Sequence, residues 1–313
     1  MILMNVLIAP RSGLTLTSPV LVSSGTFGYG IEYAERSSLA GLGAIVSKGT
    51  TLEPRTGNEP MRLWETEAGM LNAIGLQNVG VEAVARTMAP VWAGWSVPVL
   101  VNVSGTTVDE YLAIIRRLCG VPGVSGFELN ISCPNIKEGG LSFGRDPRQA
   151  AEVTAAARAE TELPLIVKLS PNVTDVRAIA SAVESAGADA ISLINTVHGM
   201  AIDISARAPA LASISGGLSG PAIKPLALHL VYQVAQEVTI PIVGYGGVVS
   251  AADALEFLFA GASAVGMASA LLVNPHAWRN VEQGIQDWCD GQRVHDLREV
   301  VGSANAGFRG PPT

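Results

Sequence analysis

The feature that most limits what this chain can fold into is an eightfold recurrence of short apolar runs, each followed by amphipathic sequence. The runs lie at 19–24 (PVLVSS), 43–48 (GAIVSK), 97–103 (VPVLVNV), 126–131 (GFELNI), 164–169 (PLIVKL), 189–194 (DAISLI), 241–245 (PIVGY) and 263–267 (SAVGM). Each is apolar along most of its length rather than alternating, the pattern of strands buried on both faces of a parallel sheet. Between them VDEYLAIIRRLCG from Val108, TDVRAIASAVESAGA from Thr174 and SAADALEFLFAGA from Ser250 read as helices, with Thr174 and Ser250 as caps. Gly41, Gly187 and Gly261 stand where helices stop before the next run. Eight consecutive strand–helix units without an early G-x-G-x-x-G predict an α/β chain closed as a (β/α)₈ TIM barrel rather than a doubly wound sheet.

A barrel of this kind accommodates all 313 residues as one domain, 1–313, with insertions. The chain is 48% apolar and only 15% charged, which supplies an enclosed core and excludes a largely disordered protein. A formal net charge of −7 argues against a nucleic-acid surface. The opening MILMNVLIAP is short, lacks a basic leader and runs into Arg11, so neither signal peptide nor membrane anchor is expected. Cys119, Cys133 and Cys289 form no C-x-x-C pair, which disfavours zinc and fits a reducing cytoplasm. The end of the chain, about 303–313, is expected to be disordered after a short helix.

Three post-strand connections, 49–76, 132–146 and 196–220, exceed ordinary loop length and are rich in Gly, Pro and Asn. They follow strand C-termini, the end of a barrel that holds its active site, and are expected to build a pocket or lid there. Polar residues at those strand ends are Ser24, Lys48, Asn102, Asn130, Lys168, Asn195 and Thr196. This amide- and ammonium-rich set lacks an acidic metal cluster and suits a planar, hydrogen-bonding, anionic ligand. Gly244-Tyr245-Gly246-Gly247 and Gly266-Met267-Ala268-Ser269 end the last two strands, where barrels commonly bind phosphate; tight turns alone are the alternative.

Cys133 follows the fourth strand in NISCPN, whereas Cys119 and Cys289 fall in helical patterns and read as buried small apolar residues. A thiolate at the mouth can act as general base or as nucleophile. No His with an Asp or Asn accompanies it, which argues against a papain-like hydrolase. His198 lies in the loop after the sixth strand, His229, His276 and His295 lie in helical regions, and none is given a role.

Across most of its length the chain resembles the class 1 dihydroorotate dehydrogenases, specifically the catalytic subunit of class 1B. The segments that carry the likeness are SGTFGYG from Ser24, SKGTTLEPRTGNEP from Ser47, GMLNAIGLQNVG from Gly69, ELNISCPNIKEGG from Glu128, VKLSPNVTD from Val167, SLINTVHGMAID from Ser192 and SGGLSGPAIKP from Ser215. The resemblance implies FMN held at Ser24, Lys48, Gly49, Asn102, Asn130, Lys168, Ile194 and Gly220, with phosphate at Gly246, Gly247, Ala268 and Ser269. It implies substrate contacts from Lys48, Asn72, Ala73, Ile74, Gly75, Leu76, Asn130, Asn195 and Thr196. By the same likeness Cys133 is the base that removes the C5 proton of dihydroorotate as the C6 hydride passes to flavin N5, a step of pyrimidine biosynthesis, and Lys168 helps hold the reduced, anionic flavin.

The resemblance further implies a homodimer and a partner subunit carrying FAD and a 2Fe-2S cluster, which passes electrons to NAD. Ala268 departs from the Gly that relatives often have at the phosphate site, with Ser269 in place of Thr, and an added Cβ matters if that backbone needs positive φ. Three readings compete: a dihydropyrimidine dehydrogenase acting on dihydrouracil, a fumarate-dependent class 1A enzyme, and a redox-inactive lyase or phosphate-ligand-binding barrel.

Overall fold

The computed structural model describes residues 4–132 and 143–305. Eight parallel strands form a closed barrel: β1 (Val20–Val22), β2 (Ala44–Val46), β3 (Val99–Val103), β4 (Gly126–Asn130), β5 (Leu165–Lys168), β6 (Ala190–Leu193), β7 (Ile242–Tyr245) and β8 (Ala264–Met267). Each pairs with the next, and β8 returns to β1 through Val265↔Val20, Gly266↔Leu21 and Met267↔Val22. Every predicted run contains one of these strands, and every strand residue is buried, as near-continuous apolar sequence requires. Fully burying a Val, Leu or Ile contributes about 1.5–3 kcal/mol, so closure leaves no edge and no wet face.

Helices Val108–Leu118, Pro147–Ala159, Val176–Ser185, Lys224–Val234, Ala251–Ala260 and Ala277–Gln292 cover β3 to β8 from outside. Ser250 and Asp253 form a reciprocal capping box, and Gly261 ends that helix in the left-handed region at φ 115°. Thr174, expected as a cap, yields to Asp175, whose carboxylate accepts from Arg177 N. Beneath the barrel wall Arg158 pairs with Asp189 at 2.8 Å, both nearly enclosed, while Asp189 also accepts from Leu165 N at 2.9 Å. That ion pair joins helix Pro147–Ala159 to the entrances of β5 and β6.

The connections expected as loops at 49–76 and 196–220 contain strands that pair with each other. Leu63–Thr66 and Gly69–Asn72 form a hairpin, and Gly216–Ser219 adds to it through Gly217↔Asn72, Leu218↔Leu71 and Ser219↔Met70. Val197–Gly199 completes this four-stranded antiparallel sheet. Most of 132–146 lies outside the described residues.

Cys289 is buried as expected, but Cys119 is exposed: it stands past the last turn of its helix with an extended backbone, off the apolar stripe. A short 3₁₀ turn at Leu297–Glu299 follows the last helix. Residues 303–305 are held to the barrel, with Ala304 N donating to Phe259 O at 2.9 Å, whereas 306–313 lie outside the described residues.

Candidate active site

Strands β3 to β7 each send one polar side chain to a common cluster: Asn102, Glu128, Lys168, Ser192 and Tyr245. Glu128 is its hub and is fully buried. Its carboxylate accepts from Asn102 Nδ2 at 2.7 Å and from Ser192 Oγ at 2.8 Å, and Lys168 Nζ lies 3.8 Å away. The Tyr245 hydroxyl also bonds to it. Burying a lone carboxylate costs several kcal/mol, so a cation and several donors around one acid form a mutually dependent set.

Lys168 Nζ also lies 3.5 Å from Ser24 Oγ and 4.7 Å from the centre of the Tyr245 ring. Burial first, and then the Glu128 charge, push the Tyr245 hydroxyl well above its ordinary range, so it remains a donor. Ser24, Asn102 and Lys168 are thus brought together as expected. Glu128, Ser192 and Tyr245 were not singled out from sequence. The signal for Glu128 was present: a lone acid in an apolar strand, two residues before Asn130 and therefore on the same strand face.

Toward the mouth, Asn130 Oδ1 accepts from Asn195 Nδ2 at 3.3 Å, and Asn195 Oδ1 accepts from Thr196 N at 2.8 Å. Asn72 Nδ2 donates to Gly217 O at 3.2 Å, and a Cβ at Gly217 would overlap Thr196. The insertion sheet therefore brings Asn72 beside Thr196, Asn195 and Asn130. Asn172, absent from the sequence-based set, secures this rim: Nδ2 donates to Thr196 O at 3.0 Å and Oδ1 accepts from His198 N at 2.9 Å.

The 72–76 segment is held from both sides. Asn58 Nδ2 donates to Ala73 O and Asn58 N to Ile74 O, each at 3.0 Å, while Asn78 Nδ2 donates to Leu76 O at 2.7 Å. A Cβ at Gly49 would lie 3.1 Å from Asn102 Oδ1 and 3.5 Å from the Leu76 side chain, which places Gly75-Leu76, Gly49 and Asn102 along one wall. Lys48 is half-buried, with its backbone N–H donating to Gly28 O at 2.8 Å. Among the described residues its ammonium has no ion-pair partner.

After β7 the backbone turns through Gly246 (φ 126°) and Gly247 (φ 79°), a region that disfavours side chains. A Cβ at Gly246 would meet Ala227 Cβ at 2.7 Å and Ile194 Cγ1 at 3.3 Å; one at Gly247 would meet Gly220 O at 2.9 Å and Lys224 N at 3.0 Å. Ile194, Gly220, Gly246 and Gly247 therefore converge. Ala268 and Ser269 reach the neighbouring stretch of rim because β8 pairs with β7 at Tyr245↔Gly266. Ala268 is not among the residues with positive φ, so its extra Cβ carries no backbone strain.

Cys133 lies outside the described residues; Ser132 before it donates to Lys168 O at 2.9 Å. Among the described residues no group of three or more His, Cys, Asp or Glu side chains could hold a metal ion.

The model of the dihydroorotate dehydrogenase family matches residues 7–288. A protein of Desulforudis audaxviator named dihydroorotate dehydrogenase B (NAD(+)), catalytic subunit, is 52% identical over 294 residues, covering 94% of this chain and 96% of its own. A protein of the same name from Pelobacter propionicus is 52% identical over 292 residues, covering 93% and 96%. The crystal structure of DHODH from Eimeria tenella in complex with ferulenol superposes with a TM-score of 0.79, covering 96% of this chain and 88% of its own; at 21% identity it speaks to the fold alone. With the family model spanning most of the barrel and relatives half identical along nearly the whole length, the chain belongs to the dihydroorotate dehydrogenase family.

Proposed function

We propose that the chain oxidises (S)-dihydroorotate to orotate on bound FMN, as the catalytic subunit of a class 1B, NAD-linked enzyme of pyrimidine biosynthesis. The observation that carries this reading is the union, at one barrel mouth, of an amide-and-ammonium wall with a glycine cradle. The first suits a flat, imide-bearing ring and an anionic substrate; the second suits a phosphate.

The residues present fit FMN. Asn102 Oδ1 and Ser104 Oγ are buried without hydrogen-bond partners and both adjoin Gly49, where a ring edge can satisfy them. Ser24, Lys48, Asn102, Asn130, Lys168 and Ile194 would hold the ring system, with Gly220, Gly246, Gly247, Ala268 and Ser269 at its phosphate. FMN, when bound, supplies the two-electron acceptor for the C6 hydride. The Lys48 ammonium receives the substrate carboxylate, and Asn72, Asn130, Asn195 and Thr196 orient the ring through amide and hydroxyl groups. The 73–76 backbone closes over the substrate, and Cys133 takes the C5 proton. A carboxylate-recognising Lys48 favours dihydroorotate over dihydrouracil.

A partner subunit carrying FAD and a 2Fe-2S cluster would supply the route for electrons from this chain to NAD. Three cysteines in the whole chain cannot supply the four thiolates of such a cluster, and the relatives are named as catalytic subunits linked to NAD(+) rather than to fumarate. Two copies of this chain form the core of that complex. Met61, Leu63, Met200, Ile202, Ile204 and Ile214, all exposed on or beside the insertion sheet, are the apolar residues such a pairing would cover. The same proposal places the enzyme in the cytoplasm, where free Cys119 and Cys289 stay reduced. Among the described residues no helix is long and apolar enough to cross a membrane.

The test is an anaerobic spectrum of the purified chain before and after dihydroorotate. The oxidised flavin band is expected to bleach with dihydroorotate and not with dihydrouracil. A colourless chain that takes up no FMN would favour the redox-inactive barrel, and bleaching by dihydrouracil alone would move the substrate to the uncharged dihydropyrimidines.

A further inference from the structure

We propose that Glu128 is the positioning residue of the flavin site: its carboxylate dictates which end of the Asn102 amide meets the flavin, anchors the Lys168 ammonium, and keeps the reduction potential of bound flavin low. The inference rests on the FMN reading above. Asn102 Nδ2 is committed to Glu128 at 2.7 Å, which turns Oδ1 the other way. That oxygen is buried, unpartnered and adjacent to Gly49. The wall therefore offers an acceptor, which selects an N–H of the ring; an inverted amide would set Oδ1 against a carboxylate oxygen.

Lys168 is governed by the same group. Its Nζ lies 3.8 Å from Glu128 Oε1 and 3.5 Å from Ser24 Oγ, and it is only 5% exposed. A buried ammonium alone would stabilise negative charge on a reduced flavin and raise its potential. The fully buried Glu128, held by donors from β3, β6 and β7, opposes that charge and restrains the ammonium. Ser192 bonds the second carboxylate oxygen and Tyr245 also bonds the group, so Lys168 and Glu128 act on the flavin as a nearly neutral pair rather than as a free cation.

The experiment is reductive titration of FMN-loaded chain against reference dyes, comparing wild type with Glu128→Gln and Glu128→Asp. Glu128→Gln is expected to favour reduced over oxidised flavin at least tenfold more than wild type, a rise of about 30 mV for a two-electron couple. Glu128→Asp, which keeps the charge, is expected to stay within about threefold of wild type on that same scale. An unchanged potential in Glu128→Gln, or equal shifts in both variants, overturns the proposal, because loss of packing would move both. A neutron crystal structure of the FMN-loaded wild type, which locates the amide deuterons, tests it without relying on variant folding. Asn102 Nδ2 on Glu128 with Oδ1 on the flavin supports it, and Nδ2 turned onto the flavin overturns it. A wild type that takes up no FMN removes the cofactor reading and this inference together, whereas a flavin-loaded wild type with an indifferent Glu128→Gln removes this inference alone.

Discussion

The proposed reaction gives Cys133 and Lys48 separable duties. A serine hydroxyl does not ionise near neutral pH, so Cys133→Ser is expected to retain FMN but to slow flavin bleaching by dihydroorotate about 10²- to 10⁴-fold. Stopped-flow reduction under anaerobic conditions measures this, and full activity would move the base elsewhere. Lys48 has the opposite signature. A charge-assisted hydrogen bond contributes about 1.5–3 kcal/mol, so Lys48→Gln should raise the dissociation constant for orotate about 10- to 100-fold. Equal affinity for orotate in both proteins would mean that the carboxylate is bound by another group.

At the scale of elements, the joint beside the glycine cradle is an ion pair between two helices. Lys224 Nζ, at the start of Lys224–Val234, lies 2.6 Å from Asp253 and 3.0 Å from Glu256 on Ala251–Ala260. Burial would raise the Asp253 carboxyl, but hydrogen bonds from Lys224, Ser250 and Val249 outweigh it and hold the group below its usual range. The hydrogen bond to Asp253 leads the causes that raise Lys224. A depressed carboxylate stabilises the fold above its unfolded pKa and loses that contribution as pH falls through the folded value. A raised ammonium stabilises below its unfolded pKa and loses it as pH rises through the folded one. The pair is therefore at full strength between about pH 5 and pH 9.5. Asp253→Asn should destabilise the chain by about 1–2 kcal/mol at pH 7. In thermal melts the gap from wild type should close as acid protonates Asp253; a gap constant across that range would exclude the ion pair as its cause.

For the whole molecule, the proposed function couples cofactor binding to folding. The wall and the cradle draw on β1 through β8 and on both halves of the insertion sheet, so the proposed FMN would bind the closed barrel and not the unfolded chain. At a free concentration a hundredfold above its Kd, FMN should add about 2.7 kcal/mol of stability. For a chain of this size that is a rise in Tm of about 4 °C, graded with FMN concentration in a calorimetric scan. A Tm indifferent to FMN would separate the fold from the cofactor.

The barrel and much of its mouth were legible in the amino-acid order because the signals are local. Near-continuous apolar runs such as GAIVSK and PLIVKL have no stable place except a strand covered on both faces, and Lys48 and Lys168 at their ends had to face the open end. Gly261 and the Ser250 cap announced a helix and its stop within a dozen residues. Tertiary structure alone decided what depends on distant segments meeting. The bond from Asn72 to Gly217 spans 145 positions between Gly-rich strands of four residues each, too short to show a period. Glu128 reads locally as an oddity in an apolar strand; only barrel closure, which sets Asn102, Lys168, Ser192 and Tyr245 around it, turns it into the hub of the site. Which way the Asn102 amide turns is likewise invisible in sequence, because it is set by the carboxylate on the next strand.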